Sequence, residues 1–198
     1  ALFGMFFIVV PMAGGLIKER NDGVFQRLLS APVSPFFLLT GKLVAYLFIC
    51  YIQFGIIVLL GKYLLPLLGT PVLVIGPHLA EIVFLVFCTG LAATAYGLLL
   101  GTLARTFEQA SMLGAISVVI AAALGGIMVP VYAMPESMQV LSALSPLGWS
   151  HDAFLDLLVR EGTFGAILPE ALSLLGFAGV NLTLAWTAFF GKGRLLGA

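Results

Sequence analysis

The sequence predicts an all-α fold: a polytopic bundle of membrane-spanning helices. Three observations carry that prediction. The 198 residues are 61% hydrophobic and only 9% charged, against about 25% charged in soluble domains. A mean hydropathy of +1.15 is more apolar surface than one core of this size can hide from water, whereas lipid solvates outward-facing apolar side chains. The apolar residues also form long runs, with the basic residues spread unevenly between them. The net charge of zero gives no electrostatic footprint for nucleic acid.

A spanning helix needs about 20 mostly apolar residues. Five segments meet or approach that length: 1–17, 36–61, 79–104, 110–129 and 171–190. The first opens at Ala1 inside an apolar run, with neither Met nor a basic stretch before it. It is therefore not a signal peptide, and the expectation is that an N-terminal part precedes it. Pro66, Pro71 and Pro77 break up the stretch between the second and third spans. Cys50 and Cys88 fall inside apolar runs and read as small hydrophobes, not as a disulfide or a metal pair.

Five spans put the chain ends on opposite sides. One set of connections carries Lys18, Arg20, Arg27, Lys42, Arg105, Lys192 and Arg194; the other carries only Lys62 and Arg160. The positive-inside rule makes the first set, with the C-terminus, cytoplasmic. Ala1 then lies outside.

Lipid gives helices no hydrophobic drive to associate, so they pack through small residues. The third span has Thr89, Ala93, Gly97 and Gly101 at intervals of four, and the fourth has Ser117, Ala121 and Gly125. Each row is one helix face. The rows could meet each other or a second subunit.

Two connections hold the informative residues. The segment from Lys18 to Pro32 predicts a short cytoplasmic amphipathic helix over 22–30. Asn21 or Asp22 would cap it and Pro32 would end it. Val24, Phe25, Leu28 and Leu29 share one face, with Arg20, Gln26 and Arg27 towards the other. It reads either as an interfacial helix on lipid or as a docking helix for a cytoplasmic partner. Glu19 and Asp22 among the bases weaken a pure anionic-lipid anchor. The external segment 130–170 is divided by Pro130, Pro135 and Pro146. Phe154, Leu155 and Leu158 make an apolar face opposite Asp152, Asp156 and Arg160. It reads as a lid over the outer end of the bundle or as a gate on a pathway.

These pieces resemble the ABC-2 family of transporter permeases, in its multidrug and antibiotic-export-like branch. Members carry an acidic-basic cluster, a Gly-Thr-hydrophobic pattern, Leu-Leu with a small residue and Pro, and then Gly-Lys. Here those are Glu19-Arg20, Gly23-Val24-Phe25, Leu28-Leu29, Ala31-Pro32 and Gly41-Lys42. Val24 stands where Thr is usual. Gly125-Gly126, Pro130 and Met134-Pro135 match a later family pattern, and Pro146, Trp149 and Asp152 another. The family has six spans, so the resemblance implies that the first is missing here.

The resemblance implies a permease subunit of an ATP-driven exporter in a prokaryotic inner membrane. It would pair with a second permease subunit, identical or not, and with cytoplasmic ATP-binding cassette ATPases that hold the ATP and Mg. Glu19, Arg20, Gly23, Phe25, Leu28, Leu29 and Pro32 would dock the ATPase by the helix-in-groove mode. Ala93, Gly97, Gly101, Ala121 and Gly125 would pack helices. Pro130, Met134, Pro135, Pro146 and Trp149 would form the external gate.

The chemistry that is missing agrees with that division of labour. A phosphate-binding loop, GxxxxGK[ST], needs a Gly five residues before its Gly-Lys. Before Gly41-Lys42, Gly61-Lys62 and Gly191-Lys192 stand Phe36, Ile56 and Trp186. No cofactor or metal is expected in this chain. An intramembrane hydrolase would need a nucleophile and base together. His78 and His151 both fall at the outer side, away from Ser111, and His151, Asp152 and Asp156 read as a solvated face. A secondary transporter or channel not driven by ATP is the other alternative. Its usual mid-membrane ionisable residues are nearly absent from the spans, where Gln53 and Asn181 are the main polar groups. An apolar pathway would suit a drug, a lipid-like or another amphipathic substrate.

Overall fold

The computed structural model describes residues 1–23, 35–69, 78–160 and 162–196. Among them every regular element is helical. The chain runs through α1 (Leu2–Phe6), α2 (Val9–Asn21), α3 (Pro35–Tyr63) and a 3₁₀ turn at Leu65–Leu68. It continues through α4 (Leu79–Leu103), α5 (Phe107–Leu124) and a second 3₁₀ turn at Val131–Ala133. It ends with α6 (Glu136–Ser142), α7 (Pro146–Leu158) and α8 (Phe164–Leu196). Five stretches among the described residues are long and apolar enough to cross a membrane: Leu2–Asn21, Phe37–Tyr63, Leu79–Leu103, Phe107–Leu124 and Phe164–Phe189. The chain is an integral membrane protein built as a polytopic helical bundle.

The edges of these helices have local causes. α1 and α2 join through a tightened turn, in which the N–H groups of Ile8 and Val10 bond carbonyls three residues back. α2 continues past the predicted end at Ile17 as far as Asn21, so Lys18, Glu19 and Arg20 lie on the span's last turn. Asn21 therefore ends this helix, with Asp22 as its C-cap, and starts no new one. α5 begins at Phe107, ahead of the expected 110, because Thr106 caps it. It stops at Leu124, short of 129, where Gly125 and then Gly126, at φ 79°, turn the chain. α8 begins at Phe164, ahead of the expected 171, and takes in Pro169. That proline lies in the second turn, where it removes one backbone bond, to the Gly165 carbonyl. Of the predicted helix 22–30, only Asp22 and Gly23 belong to the described residues. Val24, Phe25, Leu28, Leu29 and Pro32 lie outside them.

α4 is the core of the bundle. It packs against α8, α2 and α3; two-thirds of its span is buried (67%), against 6% for α3. α3 presents Phe48, Ile52, Ile56 and Leu59 outward, as a lipid-facing helix does. The contrast follows from side-chain size. α4 carries Gly90, Ala92, Ala93, Ala95, Gly97 and Gly101, all buried, and small residues let backbones approach. Cys50 and Cys88 are free and buried in the same core. Two buried hydroxyls of α4 are satisfied on that helix itself, where lipid offers no partner. Thr94 Oγ1 donates to the Gly90 carbonyl at 2.7 Å, and Thr102 Oγ1 donates to that of Leu99 at 2.7 Å.

Candidate functional site

Two polar features face opposite ends of α4. The first joins three spans at the end that the basic residues predict to be cytoplasmic. Lys42 Nζ, on the second turn of α3, donates to Glu19 Oε1 on α2 at 2.5 Å. Both side chains are partly buried, so the pair is worth more than an exposed one. Arg20 Nη2 donates to the carbonyls of Ala104 and Arg105, at 3.2 and 3.0 Å. Those carbonyls lie just past the end of α4, where helical C=O groups lack intrahelical partners and a cation suits the helix dipole. Tyr46 on α3 adds a bond from its hydroxyl to the Pro11 carbonyl, at 3.1 Å. α2, α3 and the end of α4 are thereby braced at the place where the chain leaves for segment 24–34 and returns.

Glu19 and Arg20, expected as contacts for a partner, are thus already engaged within the chain. In the sequence Lys42 stands as one of the cytoplasmic bases and as part of a Gly-Lys pattern. Its bond to Glu19, 23 residues away, brings two separate motif pieces into one contact. The next link is local. Thr106 Oγ1 accepts from the Gln109 N–H at 3.2 Å, and Gln109 Oε1 accepts from the Arg105 N–H at 3.0 Å, a variant of the capping box. Thr-x-x-Gln at 106–109 was the sequence signal for it.

Replacing Arg20 by Gln should lower stability by about 1 kcal/mol, since Arg20 is exposed while its two acceptors terminate a helix. A fall in the thermal midpoint of the detergent-solubilised protein would show it, with Arg20→Lys falling less.

The second feature is the junction at the other end, between α5 and α7. Gly125 is buried, and a Cβ placed on it would lie 2.5 Å from the Gly148 amide nitrogen and 2.9 Å from Ser145 Oγ. Ser145 caps α7 by accepting from the Gly148 N–H at 3.3 Å, and donates to the Ala121 carbonyl at 2.7 Å. Pro146 occupies the first turn of α7, where it loses no bond. Of the other residues expected as a gate, Pro130 and Pro135 precede the second 3₁₀ turn and α6, and Met134, between them in sequence, is buried. Trp149 Nε1 donates to the Ala143 carbonyl at 2.8 Å. Its ring meets Phe177 of α8 edge-on at 6.4 Å, and Phe177 meets Tyr96 of α4 at 6.1 Å.

α7 is not a surface lid. It packs against α8, α4 and α5 with Leu147, Ser150, Ala153, Phe154 and Leu157 buried. The buried face is centred on Phe154 and Leu157, whereas Leu158, expected on it, is exposed. The small-residue rows also resolve. Gly97 and Gly101 meet α2: a Cβ on Gly97 would lie 3.1 Å from Val9 Cα, and one on Gly101 would lie 3.1 Å from Ala13 Cα. Ala93 is fully buried in the main core. On α5 the buried row is Ala110, Gly114, Val118 and Ala122, one position along from Ser117 and Ala121. Ala121 and Gly125 instead meet the start of α7.

One acid expected in a connection belongs to a helix. Glu170, assigned by sequence to the external segment, stands inside α8, and its Oε2 is buried with no hydrogen-bond partner among the described residues. Among the described residues no three His, Cys, Asp or Glu side chains are grouped to hold a metal.

Comparison with known proteins places this architecture. A family model described as ABC-2 family transporter protein matches residues 1–187. The chain is 28% identical over 183 residues to a linearmycin resistance permease protein of Bacillus subtilis, covering 90% of this chain and 46% of that protein. It is 26% identical over 185 residues to an inner membrane transport permease of Escherichia coli, covering 91% and 47% respectively. Against a probable multidrug ABC transporter permease of Escherichia coli it is 23% identical over 184 residues, covering 92% and 48%. The chain thus spans about half the length of these relatives. No solved structure matches it. With a family model covering nearly its whole length over an all-helical, five-span bundle, the chain belongs to the ABC-2 family of transporter proteins.

Proposed function

We propose that this chain is the membrane-spanning part of an ABC exporter permease and that a separate cytoplasmic ATPase subunit, holding ATP and Mg, drives it. The observation that carries the proposal is the brace at the inner end. Glu19–Lys42 and the Arg20 bonds tie α2, α3 and the end of α4 together where segment 24–34 departs and returns. Force applied to that segment reaches three spans at once, as a docking element requires and a passive lipid anchor does not. Gly23, at φ 70° with open space around it, gives the chain a left-handed turn at that departure. Phe25, Leu28, Leu29 and Pro32 are the proposed docking contacts, with Glu19 and Arg20 bracing them.

The protein would sit in a prokaryotic inner membrane with its C-terminus in the cytoplasm, beside a second permease subunit. The pathway would carry a drug or a lipid-like, amphipathic molecule. The names of the relatives, a linearmycin resistance permease and a probable multidrug permease, support that class, as do the few charged groups within the spans.

Pull-down of the full-length protein from solubilised membranes tests the docking assignment. An ATPase subunit should co-purify with the wild type and be lost with Leu28→Asp, while Phe25→Ala keeps hydrolysis but exports poorly. Both variants should keep the wild-type thermal midpoint. Normal export and normal pull-down by both would refute the docking assignment.

A further inference from the structure

An apolar groove of about 240 Å³ lies between α3, α4 and α7, open on one side. Tyr51, Gly55 and Val58 line it from α3, Ile82 and Val86 from α4, and Leu158 from α7. It is larger than the ~150 Å³ apolar cavity that suffices to bind benzene. Its one polar lining side chain is committed elsewhere, because the Tyr51 hydroxyl donates to the Val83 carbonyl at 3.1 Å. Ile52, Ile56 and Leu59 flank the groove as exposed apolar side chains, so its mouth opens onto the surface that meets lipid.

We propose that this groove holds one acyl chain of an anionic membrane lipid, with the headgroup at Lys62. The register of α3 supports the placement. Positions 51, 55, 58 and 62 follow one another at intervals of four, three and four, and so share one helix face. Lys62 therefore continues the groove's face one turn beyond Val58, about 6 Å nearer the end of the span. It is exposed and has no acidic partner among the described residues; its nearest recorded contact is the Tyr63 ring, 5.6 Å from ring centroid to Nζ. A flexible lysine at a helix end reaches the headgroup layer, where a lipid phosphate supplies the missing anion. The occupant is set by these two chemistries together: hydrocarbon in the groove and a negative charge one turn above it. The proposal rests only on the membrane-spanning assignment, so failure to find an ATPase partner leaves it standing.

The test is photo-labelling of the full-length protein in phosphatidylcholine vesicles doped with phosphatidylglycerol that carries a diazirine on its acyl chain. Labels are mapped by mass spectrometry. They should concentrate on α3 and α4 around residues 51–58 and 82–86, with the same probe on phosphatidylcholine labelling less. Gly55→Leu should cut groove labelling several-fold. Nothing lies within 4 Å of a Cβ at Gly55, so the new side chain fills the groove without displacing backbone. Lys62→Gln should reduce the phosphatidylglycerol preference by about fivefold, the scale of one lysine at an anionic surface. Unchanged labelling in Gly55→Leu overturns the proposal, as does equal labelling by the two lipids in the wild type. Disulfide cross-linking of Val58→Cys between two copies would show that a second chain covers the groove, and also overturns it.

Discussion

Gly125→Ala should loosen the end of the bundle that α7 closes. The backbone at Gly125 has φ −75° and ψ 14°, which any residue adopts, so the obstacle is space alone. An added Cβ would sit 2.5 Å from the Gly148 amide nitrogen, well inside van der Waals contact, and a helix backbone cannot swing aside as a side-chain tip can. The first turn of α7 has to retreat from the end of α5. Ser145 then loses its bond to the Ala121 carbonyl and its grip on the Gly148 N–H, leaving polar groups unpaired where little water reaches. Overpacking and the lost bonds together should destabilise by roughly 3 kcal/mol. The readout is the thermal midpoint in detergent, compared with Ser145→Ala, which removes the hydroxyl without a clash and should lose about 1 kcal/mol. Gly148→Ala should fall between them, since its Cβ would meet the Ser142 carbonyl at 3.2 Å and Gly125 Cα at 3.3 Å. A Gly125→Ala midpoint equal to that of wild type would remove the glycine-to-glycine junction as the support of α7.

Much of this architecture was legible because span length and hydropathy are properties of single segments. The third span, expected over 79–104, forms α4 as Leu79–Leu103, since Glu81, in its first turn, is the one charged residue between its ends. Boundaries set by capping were harder to see. Thr106 and Gln109 form a cap that starts α5 early, and the pattern was present in the sequence but outweighed by the start of the apolar run at Ala110. The early start of α8 was hidden too: Pro169 lies in its second turn, where it removes a single bond and does not end the helix. The brace was not legible at all. Glu19 and Lys42 are remote in sequence, and whether two charges meet or face a partner is decided by how α2 and α3 pack. The helical setting of Glu170 was hidden for a related reason: it depends on where α8 begins, not on the residue itself.

Gly101→Leu should separate α2 from α4 and carry the brace with it. In a membrane the two helices gain nothing by hiding apolar surface from water, so their association rests on close contact. Gly101 provides that contact. A Cβ there would meet the Ala13 Cα and carbonyl oxygen at 3.1 Å, and Leu16 Cδ2 at 2.9 Å. Leu16 can rotate, but the Ala13 backbone cannot. Alanine should be accommodated by a shift of a few tenths of an ångström, for roughly 1 kcal/mol, whereas leucine should lose roughly 3 kcal/mol. The loss should extend beyond packing. Ala104, whose carbonyl accepts from Arg20, is one turn from Gly101, so pushing the helices apart at Gly101 also breaks the Arg20 bonds and loosens the brace near segment 24–34. Gly101→Leu should therefore lose export as well as thermal stability, while Gly101→Ala keeps most of both. Gly176 and Gly179 on α8 supply the control, because nothing lies within 4 Å of a Cβ at either. Leucine there meets open space, which in a bilayer is lipid, and should be tolerated. Equal losses from Gly176→Leu and Gly101→Leu would mean that the bundle dislikes bulk in its spans for some reason other than the contact of α4 with α2, and the link from packing to brace would fall with it.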